Sequence, residues 1–214
     1  MNHSNKNRGH DGSLKIIWLV VFFAVLIWSG IQPKSQATWV LEVLPAVIGA
    51  LIFAFTYQKF RLTTLLYVLI LLHCIILMVG GHYTYAEVPL FDGLLAAERN
   101  NYDKLGHFVQ GFVPALIARE ILIRKNVVNG QGWLNFFVIC IAMTLSAVYE
   151  LVEWGVAVIS GEGAEAFLGT QGYVWDTQSD MAMALIGAIC ALIFLSKRHD
   201  RQLAKLNDSI KQPS

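Results

Sequence analysis

The sequence predicts an all-α, polytopic membrane protein, a bundle of about six transmembrane helices. Two observations indicate this class. The 214 residues are 56% hydrophobic and only 14% charged, whereas an ordinary soluble domain carries about 25% charged residues. The apolar residues also come in long blocks, and too few polar groups remain to cover a globule exposed to water.

Each span is predicted from the length of an apolar stretch. About 20 apolar residues in a helix cross the hydrocarbon core of a bilayer, and lipid offers the backbone no other hydrogen-bond partner. Six stretches qualify, at roughly 14–31, 38–57, 62–81, 105–123, 133–154 and 177–195. A transmembrane domain at 14–196 is therefore flanked by a polar tail at 1–13, expected to be disordered, and a second tail at 197–214, at most a short surface helix.

The basic residues predict the orientation. If the N-terminus is inside, Lys34, Arg99 and Lys104 are the three of the sixteen Lys and Arg residues that lie outside, which leaves thirteen inside. The positive-inside rule then places both termini in the cytoplasm of a bacterial inner-membrane protein. A signal peptide is the alternative for the first segment, because 35–37 loosely resembles a cleavage site, but its apolar run is long for one.

Composition also excludes some classes of function. A net charge of +1 and the lack of a basic stripe argue against a nucleic-acid partner. Cys74, Cys140 and Cys190 each stand alone in an apolar run, so we expect small core residues and neither a disulfide frame nor a structural zinc site. The lipid bilayer is the partner that the composition does predict.

Ionisable residues gather at the predicted outer ends of several spans. They are Glu42 on the second, His82 at the end of the third, Asp103 and His107 (i,i+4) at the start of the fourth, Glu150 and Glu153 near the end of the fifth, and Asp176 and Asp180 (i,i+4) at the start of the sixth. Helices that run in opposite directions therefore place polar side chains at one depth.

His107, Glu150 and Asp180 are the candidate catalytic residues. Each lies about one turn inside the outer boundary, where exposure to lipid would cost roughly 2–3 kcal/mol or more. We therefore expect their side chains to approach one another within roughly 4–8 Å. A histidine with carboxylates also suits a divalent cation, so the same three are candidate metal ligands. Asp103, Glu153, Asp176 and His82 would surround them.

The long motifs resemble a known family. The stretches GGHYTYAEVPL, NYDKLGHFVQGFVPALIAREIL, SAVYELVEW and FLGTQGYVWDTQSDMAMALIGA are similar to those of the inner-membrane protein family typified by YjdF, and the resemblance covers roughly residues 14–203. It implies a multi-pass inner-membrane protein and adds no activity.

A weaker similarity connects the chain with VanZ-like membrane proteins, which are associated with glycopeptide resistance. The run 103–108 (Asp-Lys-Leu-Gly-His-Phe), then Glu150, then Asp180 with Gly187 match their elements. Ala184 differs, since that pattern would place asparagine there, and Glu153 stands where glutamine is common. The similarity selects the same three residues as the depth argument.

The leading hypothesis is an outward-facing site that binds or modifies an envelope lipid or lipid-linked precursor. His107 would be a ligand or general base, and Glu150 and Asp180 ligands or carboxylate partners. One alternative is a proton- or cation-coupled transporter, which the inner halves disfavour because they look apolar apart from His73 and Ser146. The other is a non-catalytic envelope protein whose ion pairs hold helices together. No HExxH, GxSxG or P-loop motif names a reaction.

Overall fold

The computed structural model describes the backbone of residues 3–85, 87–89, 100–160 and 175–211, and the side chains of 12–85, 87–89, 100–159 and 175–208. The helices are α1 (His3–Gly30), α2 (Gln36–Thr56), α3 (Thr64–Tyr83), α4 (Tyr102–Arg124), α5 (Gln131–Ser160) and α6 (Asp176–Lys211). All six are long and apolar enough to cross a membrane, and these ranges contain no strand. The predicted all-α bundle of six spans is confirmed.

Several helices extend beyond the apolar runs that predict them. The first begins at His3, so the expectation of a disordered tail at 1–13 is wrong for the described part. The sixth continues to Lys211, and residues 197–211 are its extension. Its last turns are helical because His199 and Leu203 are buried in the bundle. Residues 90–99, with Arg99, and residues 161–174 lie outside the described residues.

The six helices form two groups of three. α3 packs against α1 and α2, α4 packs most closely against α6 and then α5, and contact between α3 and α4 joins the groups. We call the end that carries the connections 31–35, 84–101 and 161–175 the loop end, and the opposite end, with both termini, the tail end. Large apolar side chains are exposed along α1, α2 and α5, among them Phe23, Phe55 and Leu151. Such a surface is expected to face lipid.

Glycines bring α4 and α6 into backbone contact. A Cβ atom on Gly111 would lie 1.8 Å from the carbonyl oxygen of Ala184, and one on Gly187 would lie 2.0 Å from that of Phe108. Small residues at such positions let membrane helices approach closely. The contact lies about one turn from His107 and Asp180, and it therefore sets the distance between these two side chains.

Candidate functional site

The centre of the candidate site lies between α4 and α6 at the loop end. Asp103, His107 and Asp180 each offer one potential ligand atom, and the three atoms lie within 4.8 Å of one another. Asp103 and His107 share a face of α4 through their i,i+4 spacing, with 3.5 Å between Oδ1 of Asp103 and Nε2 of His107. The close approach of α6 supplies Asp180.

Glu150 approaches the same histidine from α5. Its Oε1 atom lies 3.7 Å from Nδ1 of His107, so each ring nitrogen of His107 faces a different carboxylate. We call Asp103, His107, Glu150 and Asp180 the loop-end cluster. A histidine that binds a metal through one nitrogen usually donates its other N–H to a carboxylate or carbonyl. The geometry around His107 has this form, with Nε2 near the carboxylate of Asp103 and Nδ1 near that of Glu150.

The loop-end cluster contains buried polar atoms without hydrogen-bond partners. Within the described part of the chain these include Nδ1 of His107, Oε1 of Glu150 and Oδ1 of Asp180. Their residues are 5%, 8% and 4% exposed. An unsatisfied buried polar group costs about 1–3 kcal/mol, and a bound ion or water is a common explanation where one occurs. The arrangement is suited to accept a ligand in the middle of the cluster.

A small cavity adjoins the cluster on the side of α2 and α3. Its volume is about 70 Å³, and it is lined by Glu42, Pro45, His73, Leu77, Tyr85, Asp103, Gly106, His107, Gln110, Tyr149 and Glu153. The Tyr149 hydroxyl donates a hydrogen bond of 2.9 Å to Oε2 of Glu42, which connects α5 with α2. The cavity has room for an ion with a few waters, and it is too small for a drug-sized ligand.

Tyr85 also lines this cavity, although no pattern in the sequence predicts a role for it in the site. Thr84 and Tyr85 have left-handed backbone conformations, with φ of 57° and 56°, which turn the chain back after α3. The ring then lies so close to Gly80 that a Cβ there would be 2.4 Å away. Burial, together with the nearby Glu42, raises the pKa of Tyr85, so its hydroxyl remains a hydrogen-bond donor.

The four residues predicted to surround the site have different positions. Asp103 lies at the centre, and Glu153 lines the cavity. Asp176 is the first residue of α6 and acts electrostatically on Glu150 and Asp180. His82 lies apart: its Nδ1 is 3.0 Å from the carbonyl oxygen of Ser29, and its ring stacks on Trp28. His82 therefore packs against α1.

A second buried polar cluster, which was not predicted from the sequence, lies at the tail end. We call Thr63, Arg119, Glu120, Arg124, His199 and Asp200 the tail-end cluster. Arg119, Glu120 and His199 are 2%, 0% and 0% exposed, so the expectation of apolar inner halves apart from His73 and Ser146 is wrong. Arg119 lies within the predicted fourth span, and α6 extends far enough beyond its own predicted span to cover it. The i,i+4 pair of Glu120 and Arg124 is the signal that could have indicated a buried network.

Glu120 accepts hydrogen bonds from three helices or their caps. The Thr63 hydroxyl (2.9 Å) and Nε2 of His199 (2.9 Å) contact Oε2, and Arg124 donates to Oε1 (2.8 Å). Thr63 is the N-cap residue of α3, and its backbone N–H also donates to Glu120. The carboxylate of Glu120 thus caps α3 from α4.

Arg119 completes the tail-end cluster. Its guanidinium lies 3.1 Å from Nδ1 of His199 and donates a 2.7 Å hydrogen bond to Asp200. Because a guanidinium can only donate hydrogen bonds, Nδ1 of His199 must accept one from Arg119. The N–H group of His199 is therefore at Nε2, and it donates a hydrogen bond to Glu120. The described contacts therefore satisfy both nitrogens of His199 and both oxygens of Glu120.

Apolar side chains separate the two clusters. Val113, Ala115 and Leu116 lie between His107 and Arg119 on α4 and are at most 1% exposed. Leu66 on α3 is fully buried as well. Along the described residues of α4, the buried positions between the two clusters are therefore apolar.

Comparisons with known proteins agree with the architecture. Inner membrane protein YjdF of Escherichia coli (strain K12) is 52% identical to this chain over 184 residues, which cover 85% of this chain and 88% of that protein. A family described as predicted membrane protein (DUF2238) matches residues 14–201, whereas no solved structure matches. The resemblance to the YjdF-type family and the multi-pass character in the inner membrane are confirmed, and the similarity to VanZ-like proteins stays a prediction. The chain belongs to the DUF2238 family of predicted membrane proteins.

Proposed function

We propose that the loop-end cluster binds a divalent cation on the outward side of the inner membrane, and that the protein uses this site to bind or modify an envelope lipid or lipid-linked precursor. Asp103, His107 and Asp180 would hold the cation, and Glu150 would orient His107. The observation that carries the proposal is the convergence of three potential ligand atoms within 4.8 Å. In addition, Oδ1 of Asp180 is buried and makes no described hydrogen bond.

The charge of the site favours a cation as its first ligand. Carboxylates outnumber basic groups around His107, since Glu42, Glu153 and Asp176 lie near the cluster as well. A bare phosphate would be repelled there, because phosphate sites normally present arginines or helix N-termini. A bound cation with one nitrogen and two oxygen ligands reverses this preference. It keeps positions open for a phosphate oxygen and for a water whose pKa it lowers.

The size and position of the cavity favour a lipid over a soluble metabolite. About 70 Å³ suffices for an ion and the reacting atoms of a headgroup, whereas a complete soluble ligand needs about 300 Å³ or more. The acyl chains of a lipid can remain in the bilayer while its headgroup reaches the cluster. Transport stays the alternative, and the buried apolar residues Val113 and Leu116 on α4 disfavour it.

Metal titration tests the cation. The protein purified in detergent and stripped with a chelator should bind one Mn²⁺ or Zn²⁺ per chain in isothermal titration calorimetry. Asp180→Asn and His107→Gln should each lower the affinity at least about tenfold. Asp208→Asn, which changes an exposed carboxylate of the same helix, is the matched control and should bind like the unaltered protein. Equal affinities for Asp180→Asn and Asp208→Asn would refute the cation site.

A lipidomic comparison tests the substrate. Cells that lack the protein and cells that overproduce it should differ in at least one phospholipid, glycolipid or lipid-linked precursor. Cells that produce Asp180→Asn should resemble the deletion, and those with Asp208→Asn should not. Identical lipid profiles in all four strains would remove the lipid from the proposal and leave the cation site to stand on its own measurement.

Topology reporters test the outward orientation. Fusions after Lys59, after Arg124 and at the C-terminus should report the cytoplasm, and fusions within 84–100 and 160–174 should report the outside, because of the distribution of basic residues. A cytoplasmic signal from 160–174 would place the loop-end cluster on the inner side.

A further inference from the structure

The cavity beside the loop-end cluster contains polar side chains that the proposed cation site does not use. Glu42 of α2, His73 of α3 and Glu153 of α5 line it from three different helices. Among the described residues, the three ligand atoms that converge within 4.8 Å all belong to the loop-end cluster. Glu42, His73 and Glu153 therefore surround the cavity at a wider spacing than metal ligands have, which suits a group larger than a metal ion.

Each of these three side chains can accept a hydrogen bond from a ligand. Nε2 of His73 is buried and has no hydrogen-bond partner within the described part of the chain. The described contacts give Glu153 no hydrogen bond, and the groups that act on it electrostatically are other carboxylates and His107. Glu42 accepts hydrogen bonds from Tyr149 and Tyr85, but a carboxylate has about four acceptor positions, so it can accept another.

Glycines leave room for the side chains that form the cavity. A Cβ atom on Gly81 of α3 would lie 3.1 Å from Cβ of Glu42, and one on Gly106 of α4 would lie 3.1 Å from the ring of Tyr85. Glu42 thus packs closely over α3, and Tyr85 packs closely over α4. The positions of these side chains are fixed by the packing of the helices before any ligand binds.

The cavity lies where α2 and α5 face each other across the bundle. α2 packs against α3, whereas α5 packs against α4 and α6, and the described residues of α2 and α5 make little direct contact. The hydrogen bond from Tyr149 to Glu42 crosses the space between them. Leu44 of α2 and Val152 of α5 are 47% and 52% exposed, as expected of side chains that face lipid. A lipid headgroup can therefore approach the cavity from the bilayer, between α2 and α5.

We infer that the cavity binds the primary ammonium group of an aminophospholipid, which donates hydrogen bonds to Glu42, His73 and Glu153. An –NH₃⁺ group has three donors and no acceptor, and the two carboxylates balance its charge. A volume of about 70 Å³ corresponds to about two water molecules, which is enough for an ammonium group with its two methylenes. The inference rests on the proposed function, because the phosphate of the same headgroup would then lie at the cation of the loop-end cluster.

A series of lipids tests the inference on the unaltered protein. In native mass spectrometry of the full-length chain in detergent, phosphatidylethanolamine should bind most tightly, and each N-methyl group should weaken binding because it removes one donor. Phosphatidylcholine and phosphatidylglycerol should bind at least about tenfold more weakly. Equal affinity for phosphatidylethanolamine and either of these lipids would overturn the inference. Displacement of the lipid by an equimolar amount of free ethanolamine would overturn the lipid as the source of the ammonium group.

Substitutions of similar size test the three acceptors. Glu42→Gln and Glu153→Gln should each lower the affinity for phosphatidylethanolamine at least about tenfold, and His73→Phe about fivefold, while the affinity for phosphatidylglycerol stays the same. Glu87→Gln is the matched control, because it changes an exposed carboxylate of the loop end. An equal loss for both lipids would show a general effect on the structure and would overturn the assignment of the acceptors.

Metal titration of the same proteins separates this inference from the proposed function. Glu42→Gln should bind Mn²⁺ like the unaltered protein, whereas Asp180→Asn should lose the metal and keep a preference for phosphatidylethanolamine over phosphatidylglycerol. An unaltered protein that binds no metal but has this preference would refute the cation site and support the ammonium site. Metal binding without the preference would have the opposite meaning.

Discussion

The two ends of the bundle each bury a polar cluster on α4 and α6, but the clusters differ in charge and in hydrogen bonding. At the tail end, Arg119 and Arg124 balance Glu120 and Asp200, and the described contacts use both oxygens of Glu120. At the loop end, three carboxylates surround His107. The buried atoms without a partner include one from each of His107, Glu150 and Asp180. The tail-end cluster also has an atom of this kind, Nε of Arg119, but its charges are balanced and its carboxylate is fully bonded, as is typical of a structural role. The unbalanced and less satisfied loop-end cluster is typical of a site that binds something.

The tail-end cluster connects three helices through hydrogen bonds to one carboxylate, that of Glu120. Glu120 belongs to α4, caps α3 at Thr63 and accepts from His199 of α6. Because the network is buried, the removal of one member leaves a charged partner without its counter-charge. An uncompensated charge is costly in the interior of a protein. Buried charge at this end therefore holds the bundle together, whereas at the loop end like charges oppose the close packing of α4, α5 and α6.

The largest effect is expected at Glu120. Glu120→Leu should destabilise the protein by about 3–5 kcal/mol, because it leaves Arg124 and the N-cap of α3 without their buried acceptor. Unfolding in mixed detergent, followed by circular dichroism, measures the change. Glu87→Gln is the control, since Glu87 is half-exposed and pairs with Lys34, and exposed pairs contribute about 1 kcal/mol or less. Equal stability of the two variants would mean that the tail-end cluster is not structural.

A smaller loss is expected at the contact between α4 and α6. Gly111→Ala places a Cβ against the carbonyl of Ala184, and overpacking of this kind costs about 1–3 kcal/mol. Since the contact sets the distance from His107 to Asp180, metal affinity should fall as well. Gly49→Ala is the control, because a Cβ at Gly49 of α2 would meet nothing within 4 Å. A Gly111→Ala protein with unchanged stability and affinity would show that the two helices can move apart without cost.

The sequence predicts the loop-end cluster better than the tail-end cluster for a physical reason. His107, Glu150 and Asp180 stand inside apolar runs. The high cost of desolvating an ionisable side chain there identifies them as candidate site residues. Arg119 and Glu120 lie within the predicted span 105–123, but their buried partner His199 lies beyond the predicted sixth span, which ends at 195, and there a charge normally extends to the membrane surface. The extension of α6 to Lys211 brings His199 to them, and the composition of a segment does not determine how far its helix extends.

Two further features depend on contacts between distant parts of the chain. Tyr85 enters the cavity because two consecutive left-handed residues turn it back and Gly80 leaves room for its ring. No periodic pattern indicates such a turn. His82 lies in the last turn of α3, and its side chain contacts Ser29 of α1. It does so although His82 lies at the depth predicted for the site. Depth was predictable from the spans, whereas the direction of a side chain around the helix was not.

The smallest effect on stability is expected from the triple variant His107→Leu, Glu150→Leu, Asp180→Leu. Apolar residues that replace a complete set of buried ionisable groups are often neutral or stabilising. Here the exchange also removes the repulsion among carboxylates and the buried atoms that make no described hydrogen bond. We expect a triple variant at least as stable as the unaltered protein, inserted in the membrane, with no metal binding and the lipid profile of the deletion strain.

The single variants decide between a site and a structural contact. If ion pairs in the loop-end cluster held the helices together, each single leucine variant would unfold more easily, while the triple variant would be stable and would fully restore the lipid profile of a deletion strain. If the cluster is a binding site, Asp180→Leu alone should already abolish binding at little cost in stability, because His107 keeps Asp103 and Glu150 as partners. Thermal stability in detergent and complementation, measured on the same four proteins, separate the two outcomes. A stable triple variant that complements fully would refute the functional role of the cluster, and it would make the loop end a second structural network like the one around Glu120.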